Sequence, residues 1–459
     1  MYEFKKTDSK ELERTITIVL AAVMITLHLV NFLQQIKIID LGRIEAGSIA
    51  LPVGALMLLI FDVLYFIKTK DRKFRTVYIF VILSVVSLIL SFVFAINKDL
   101  AISGADLHAE GIFVFMAYLV IFLSATLIEE DKNRRIIYYV MTVIGVFEVI
   151  LGVMQAIIHP SFLKETLDEL YFEDFKAFGT LENPNPFGSV MAVYLSFETI
   201  LTICSTGKNR FLHAILAGIY AYGMFLSGTR GAMLGYAAAM LFFAIIFLIR
   251  RLIKKNCIFK QAWLGILLVV AAVGISLLLF YLTSRTTFEN VTGRVADDVT
   301  SVASENVEEL GSSRILIWKK TLETYSKHNL LFGMGISNLV QLVKIEDFNL
   351  LNYDAHNRYL HILCTMGIFG VVVYLSFVIY VFIIAMKKLF NHNTIDRKYV
   401  LALLAAYSAY MVADSFSICV YALPPFLYLI MGLLLKKNQY CITKDGKNTE
   451  TIGETDVRV

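Results

Sequence analysis

Three cationic or ionisable side chains stand at breaks between strongly apolar runs, where a ligand could reach them. Arg230 lies in Ser227-Gly-Thr-Arg-Gly231, between two such runs. A guanidinium there is either a snorkelling side chain in a tight turn or a phosphate clamp, since its planar fork donates two parallel N–H bonds to phosphoryl oxygens. Gly228 and Gly231 would let that ligand approach the backbone, and Ser227 adds a hydroxyl. Arg314 opens Ser312-Ser-Arg-Ile-Leu-Ile-Trp-Lys-Lys-Thr-Leu-Glu-Thr-Tyr325, whose Ile315, Trp318, Leu322 and Tyr325 recur at helical spacing. With Ser312 or Ser313 as N-cap, Arg314 falls in the first turn, beside the positive end of the helix. A cation is out of place there unless an anion joins it; otherwise Arg314 is a solvated surface residue.

His356 lies in Asp354-Ala-His-Asn-Arg-Tyr359, immediately before an apolar run. If Asp354 caps that helix, His356 sits in its first turn, where the positive end favours the neutral imidazole a general base requires. Asp354 could instead orient the ring, or the histidine could be incidental to a capping sequence. Asn357 and Arg358 follow directly as polar candidates, and His361, deeper in the run, reads as a packed or polar-lining residue. Upstream, Glu182-Asn-Pro-Asn-Pro-Phe187 is extended before each proline, so Asn183 and Asn185 either line a polar site or cap the following helix. Leu331-Phe-Gly-Met-Gly335 reads as a glycine turn.

The elements that must position these groups are membrane spans. Of the 459 residues, 58% are hydrophobic and 17% charged, against about a quarter charged in soluble domains. The net charge of +4 makes a nucleic-acid binder a poor first reading. Five cysteines, Cys204, Cys257, Cys364, Cys419 and Cys441, show neither a zinc nor a disulfide pattern. Apolar runs of bilayer length lie near 15–34, 48–67, 76–96, 112–128, 137–157, 187–205, 211–227, 231–249, 262–283, 360–385, 399–417 and 419–435. The expected fold class is therefore an all-α integral membrane protein of about twelve transmembrane helices. The first run is too long for a signal-peptide core and is expected as a retained span.

With the N-terminus inside, 28 of the 42 lysines and arginines fall on inner segments, such as Lys68–Arg75 and Arg250–Lys255. Both termini are then cytoplasmic. The expected organisation is a cytoplasmic segment 1–14, N-terminal spans within 15–157, central spans within 158–283 with an outer loop 158–186, an extracytoplasmic loop 284–359 with short helices, C-terminal spans within 360–435, and a cytoplasmic tail 436–459. The long outer loop between the ninth and tenth spans carries Arg314 and His356. Its acidic stretch Asp297, Asp298, Glu305, Glu308 and Glu309 reads as a solvated helix face. No G-x-x-x-x-G-K-[ST], D-x-D or H-E-x-x-H occurs, so neither an ATP-driven pump nor a motif-bound metal is expected. Asp62, Glu148, Glu198 and Asp414 fall inside spans, where ionisable groups are costly and point to a pathway or polar cavity.

The ordered set Asn183-Pro-Asn185, Ser227-Gly-Thr-Arg-Gly231, Arg314 with Trp318, Phe332-Gly-Met-Gly335, Ala355-His-Asn357 and Gly367-Ile-Phe-Gly370 resembles the O-antigen ligase and polysaccharide polymerase superfamily of bacterial membranes. The resemblance covers roughly 180–385. It implies a GT-C-like, metal-independent, inverting glycosyltransferase of the cytoplasmic membrane, without cofactors and with its active site on the extracytoplasmic face. The donor it implies is a glycan on undecaprenyl diphosphate and the acceptor another glycan, with membrane lipid around both and a chain-length regulator or flippase as a protein partner. In the family's pattern Arg230 and Arg314 match diphosphate-binding arginines and His356 the base. Asn183, Asn185, Ser227, Trp318, Asp354, Asn357 and Arg358 are the accompanying binding candidates. Polymerisation of a surface polysaccharide is the leading expectation, and ligation to a lipid, protein or wall acceptor the alternative. A lipid-linked oligosaccharide flippase, supported by the four ionisable residues in spans, is the rival from another class. A non-catalytic assembly or sensor protein would leave the arginines and histidine unexplained.

Overall fold

A computed structural model describes residues 2–41, 44–69, 76–104, 109–159, 176–253, 259–303, 310–341, 344–345, 350–351, 354–390 and 397–435. The basic stretches 70–75 and 254–255, the acidic residues Glu305, Glu308 and Glu309, Cys257, Cys441, most of the outer loop 158–186 and the tail 436–459 lie outside the described residues.

The architecture is all-α and multi-pass. The helices are α1 (Tyr2–Gln35), α2 (Ala46–Thr69), α3 (Thr76–Val93), α4 (Lys98–Ser103), α5 (Ile112–Thr126), α6 (Asp131–Val153), α7 (Pro184–Cys204), α8 (Gly207–Leu226), α9 (Arg230–Ile253), α10 (Phe259–Thr283), α11 (Arg285–Ala303), α12 (Leu310–Tyr325), α13 (Arg358–Phe390), α14 (Arg397–Ala413) and α15 (Pro424–Leu434). Among the described residues the strand pairing is a two-residue antiparallel ladder, Lys344 opposite Leu351 and Ile345 opposite Leu350. Among the described residues nine helices are long and apolar enough to cross a membrane. All twelve apolar runs of the sequence coincide with helices. The three outside the nine are the shorter α5 and α15, and α8, which opens with Lys208 and Arg210.

Burial is arranged for lipid. Helices α2, α9, α10 and α13 leave large apolar side chains exposed, among them Val53, Leu56, Ile60, Leu241, Leu267, Val270, Leu278 and Val372. Contiguous apolar surface on this scale needs a non-aqueous environment. The centre of the bundle is α7, nearly all of whose residues are buried. Its Gly188, Ser189, Ala192, Ser196, Thr199 and Thr202 are small or weakly polar, which lets α8, α9 and α14 approach closely.

Two expected spans are interrupted. α13 has a non-helical residue, Gly367, at φ +72°. There the turn 329–335 docks against it: Met334 and Gly335 donate to the carbonyls of Cys364 and Thr365, and Ile368 and Phe369 donate to those of Leu330 and Leu331. The glycine turn expected at 331–335 thus exists, with Gly333 at φ +81° and Gly335 at φ +102°. The last expected span, 419–435, is helical only over α15, because the chain reaches it from α14 through a short 3₁₀ turn, Asp414–Phe416.

A Cβ at position 367 would lie 2.3 Å from the carbonyl oxygen of Leu331, in a conformation that L-residues rarely adopt. Gly367→Ala is expected to destabilise the fold by at least about 2 kcal/mol, read as a lower midpoint of thermal unfolding in detergent, whereas Gly274→Ala, with no atom within 4 Å of the new Cβ, should leave the midpoint unchanged.

Candidate functional site

Arg230 is the first residue of α9 and Arg314 the fifth described residue of α12, yet both line one cavity of about 590 Å³. Gly231, Met233, Val295, Ile315, Trp318 and Phe416 complete most of its wall. That volume lies within the range of small-molecule sites. One guanidinium N–H of Arg230 donates to the carbonyl of Arg294 at 2.9 Å, which sets the group between α9 and α11. The Arg314 guanidinium carbon stands 5.9 Å from the centre of the Phe416 ring, and Trp318 meets the same ring at 6.5 Å. The buried indole N–H of Trp318 has no hydrogen-bond partner among the described residues, so a polar donor faces apolar surroundings beside two cations.

The helix-end argument applies to a different arginine than expected. Helix α12 begins by Leu310, so Ser312 and Ser313 lie within it and do not cap it, and Arg314 is past the first described turn. Arg230 instead occupies the N-terminal position of α9, where exposed backbone N–H groups add positive potential. The buried face of α12 is also rotated from the expected one. Ile317, Thr321 and Tyr325 are buried, Leu322 is exposed, and Ile315 and Trp318 turn to the cavity.

His356 does not line this cavity and is not in a helix. It has φ +49°, a left-handed conformation unusual for a non-glycine residue, two positions before α13. Asn357, and not Asp354, is the N-cap: its Oδ1 accepts from the N–H groups of Tyr359 and Leu360 at 3.0 and 3.1 Å. The Asp354 carboxylate accepts the backbone N–H of His356 at 3.2 Å and that of Cys419, and lies 3.4 Å from Nδ1 of His361. Asp354 therefore shapes the loop that carries His356 and pairs with the ring of His361.

Arg358 is buried and its Nη1 donates to both oxygens of Glu110 at 2.8 and 2.9 Å, while its Nε donates to Asp414 at 3.3 Å. This triad ties the start of α13 to the 3₁₀ turn that carries Phe416, and so joins the His356 loop to the wall of the arginine cavity. Glu110, His361 and Cys419 bring one ligand atom each within 4.8 Å of one another, a set of metal-ligand types. Both Glu110 oxygens are engaged by Arg358, so a metal ion there would have to displace a cation already held.

Of the remaining sequence candidates, Asn183 caps α7 by accepting the N–H of Asn185 at 2.9 Å. Ser227 is buried; its hydroxyl donates to the Met224 carbonyl at 2.6 Å and pairs with Thr229 at 2.8 Å against Gly188. Phe416, Val295 and Glu110 had no signal of their own in the sequence. Asp414 did, as a carboxylate inside an apolar run.

Residues 215–375 match the family model described as O-antigen ligase, a segment that includes Arg230, Arg314, Trp318 and His356. This match supports membership in the O-antigen ligase-like superfamily of membrane proteins. No curated protein matches the chain. The likeness is to a family associated with O-antigen ligase and polymerase activity, a link at the level of the family. The matched segment includes every cavity-lining residue of α9, α11 and α12, though not Phe416, and the docked kink of α13.

Two expectations follow. Arg358→Met leaves Glu110 and Asp414 buried without their cation and should cost about 3–5 kcal/mol, read as loss of monodisperse protein, while Lys320→Met on the exposed side of α12 should not. Glu182, at φ +62° and bonded to Tyr421 at 3.4 Å, has its carboxyl held well above the usual glutamate range by the protein packed around it and by the neighbouring Glu45. A raised folded-state value means that this contribution is complete below the ordinary glutamate range and is lost as pH rises. Thermal stability in detergent should therefore decline from acid toward neutral and alkaline pH, and Glu182→Gln should flatten the profile.

Proposed function

We propose that the chain is a glycosyltransferase that moves a glycan from undecaprenyl diphosphate to an acceptor hydroxyl. The supporting observation is the single cavity lined by Arg230, Arg314 and the indole of Trp318, drawn from two helices distant in sequence. Two guanidinium groups there would bind the diphosphate and stabilise the negative charge that builds on it as the anomeric C–O bond breaks. The Trp318 N–H would donate to a phosphoryl or sugar oxygen. His356 would take the proton of the acceptor hydroxyl as its oxygen bonds to the anomeric carbon, the electron pair of the broken bond leaving with the diphosphate. Attack from the face opposite the leaving group inverts that carbon, and no step calls on a metal or cofactor.

In this reading all twelve apolar helices span the membrane, both termini are cytoplasmic, and the cavity opens on the extracytoplasmic face. The lysine and arginine distribution supports that orientation. The family description favours ligation, transfer of a finished glycan to a lipid, protein or wall acceptor, over the polymerisation that leads the sequence reading.

Purified protein in detergent, given a lipid-linked glycan and a defined acceptor, should transfer the glycan without any membrane crossing. A product of unchanged glycan length on the acceptor identifies a ligase; a lengthened glycan still on the lipid identifies a polymerase; no transfer by well-folded protein rejects the enzymatic reading in favour of transport. Arg230→Lys, Arg314→Lys and His356→Ala should each keep the protein folded and lower turnover about 10²–10³-fold, with the lysines failing because they cannot make a bidentate contact.

A further inference from the structure

Around the Arg358 triad converge donors that the transfer just described does not use. Glu110 precedes α5, His361 lies in the first turn of α13, and Cys419 follows the 3₁₀ turn after α14. Each brings one ligand atom within 4.8 Å of the other two, and all three residues are buried. Nδ1 of His361 has no hydrogen-bond partner among the described residues, and Asp354 Oδ1 lies 3.4 Å from it. The other Asp354 oxygen accepts the backbone N–H of Cys419. An imidazole, a thiol and two carboxylates suit zinc far better than magnesium or calcium, which take oxygen ligands. Two donors each about 2.0–2.1 Å from a tetrahedral zinc stand about 3.4 Å apart. That is the separation found between Asp354 and His361.

The guanidinium beside these donors is incompletely satisfied. Nη1 of Arg358 serves both oxygens of Glu110, and Nε meets Asp414 Oδ2 at 3.3 Å. Nη2 of Arg358 and Oδ1 of Asp414 are both buried and lack a hydrogen-bond partner among the described residues. A donor beside Nε and an acceptor beside Oδ2 are the missing half of a side-on fork, in which Nε and Nη2 donate in parallel to one carboxylate. One guanidinium serving two ionised carboxylates also leaves surplus negative charge in the interior, which is costly unless a further cation meets it. Both defects disappear if Glu110 is given to a metal ion and Arg358 turns wholly to Asp414.

We propose that Glu110, Asp354, His361 and Cys419 form a zinc site that trades places with the Arg358–Glu110 ion pair. On binding, the two Arg358–Glu110 hydrogen bonds break and a Glu110 oxygen coordinates the ion. Asp354, the His361 imidazole and the Cys419 thiolate complete the shell, and the thiol proton goes to solvent. The donor atoms draw in to separations of about 3.4–3.6 Å, and the freed guanidinium closes its fork on Asp414. The ion supplies no chemistry to the transfer. It sets which carboxylate anchors the start of α13, and with it the loop that bears His356.

The test uses the purified full chain in detergent, stripped with a chelator and titrated with Co²⁺ as a spectroscopic stand-in for Zn²⁺. One Co²⁺ per chain should bind with a thiolate-to-cobalt charge-transfer band and the strong visible bands of a four-coordinate ion, and Zn²⁺ should displace it. The charge-transfer band should vanish in Cys419→Ser and His361→Gln and persist in Cys204→Ser, at the end of α7. Asp414→Asn alters no proposed ligand, yet should weaken binding about 10–100-fold, because Arg358 loses the carboxylate to which it turns. Absence of the band in folded protein, a band that survives Cys419→Ser, or an affinity unchanged in Asp414→Asn each overturns the inference. Should His361→Gln or Asp414→Asn fail to fold, Cys419→Ser decides, since it exchanges only sulfur for oxygen. X-ray absorption by the unaltered protein loaded with Zn²⁺ should then show one sulfur among four ligands, and a shell without sulfur overturns the site. Binding is measured without glycan substrates, so failure of the transferase reading leaves this result intact.

Discussion

The guanidinium of Arg358, held by Glu110 and Asp414, is the interaction on which the arrangement around the cavity depends. It lies at the start of a span, where an unpaired charge would be expelled from the protein or neutralised. Two carboxylates, one of them held through both of its oxygens by Nη1, make its burial tolerable. Each partner belongs to a different part of the chain: Glu110 precedes α5, and Asp414 opens the 3₁₀ turn after α14. One buried cation therefore fixes three chain crossings, and with them the loop bearing His356 and the ring of Phe416.

Around this anchor the chain uses irregular backbone where a continuous helix would obstruct. Gly367 breaks α13 so that the 329–335 turn can donate into the freed carbonyls. Non-helical backbone at membrane depth needs such protein partners, since lipid offers none. The loop before α7 follows the same rule: Gln155 accepts the N–H groups of Phe178 and Gly179 and donates to the Gly179 carbonyl. Beside that loop the His28–Glu148 pair is almost completely buried, with Thr180 donating to the carboxylate.

The twelve apolar runs, the glycine turn and the amphipathic helix at 312–325 were legible because each is local. Run length, φ-permissive glycine and a three-to-four residue period need only neighbouring residues. The helix caps were harder. Asp354 and Asn357 are both good N-caps on paper, and the choice turned on Asp354 being drawn instead to Cys419 and His361, partners far along or across the fold. The buried face of α12 was misphased for a related reason. Leu322 looks apolar, but the helix packs through Ile317 and Tyr325 into a cluster with Leu360, Leu363 and Cys364 of α13, and no local rule says where that neighbour lies.

Composition and charge alone determined that this is a multi-pass membrane protein, because a bilayer demands long apolar runs and excludes charge wherever no partner is close. The sequence by itself also singled out Arg230, Arg314 and His356, since charged and ionisable groups at the ends of such runs have few structural reasons to be there. Only the tertiary structure decided that the two arginines and Trp318 share one cavity with Phe416, that Arg358 is an internal counter-ion, and that His356 stands on the adjoining loop outside the cavity wall. Those are matters of distance between residues far apart in the chain, and such distances are set by which helix faces pack together.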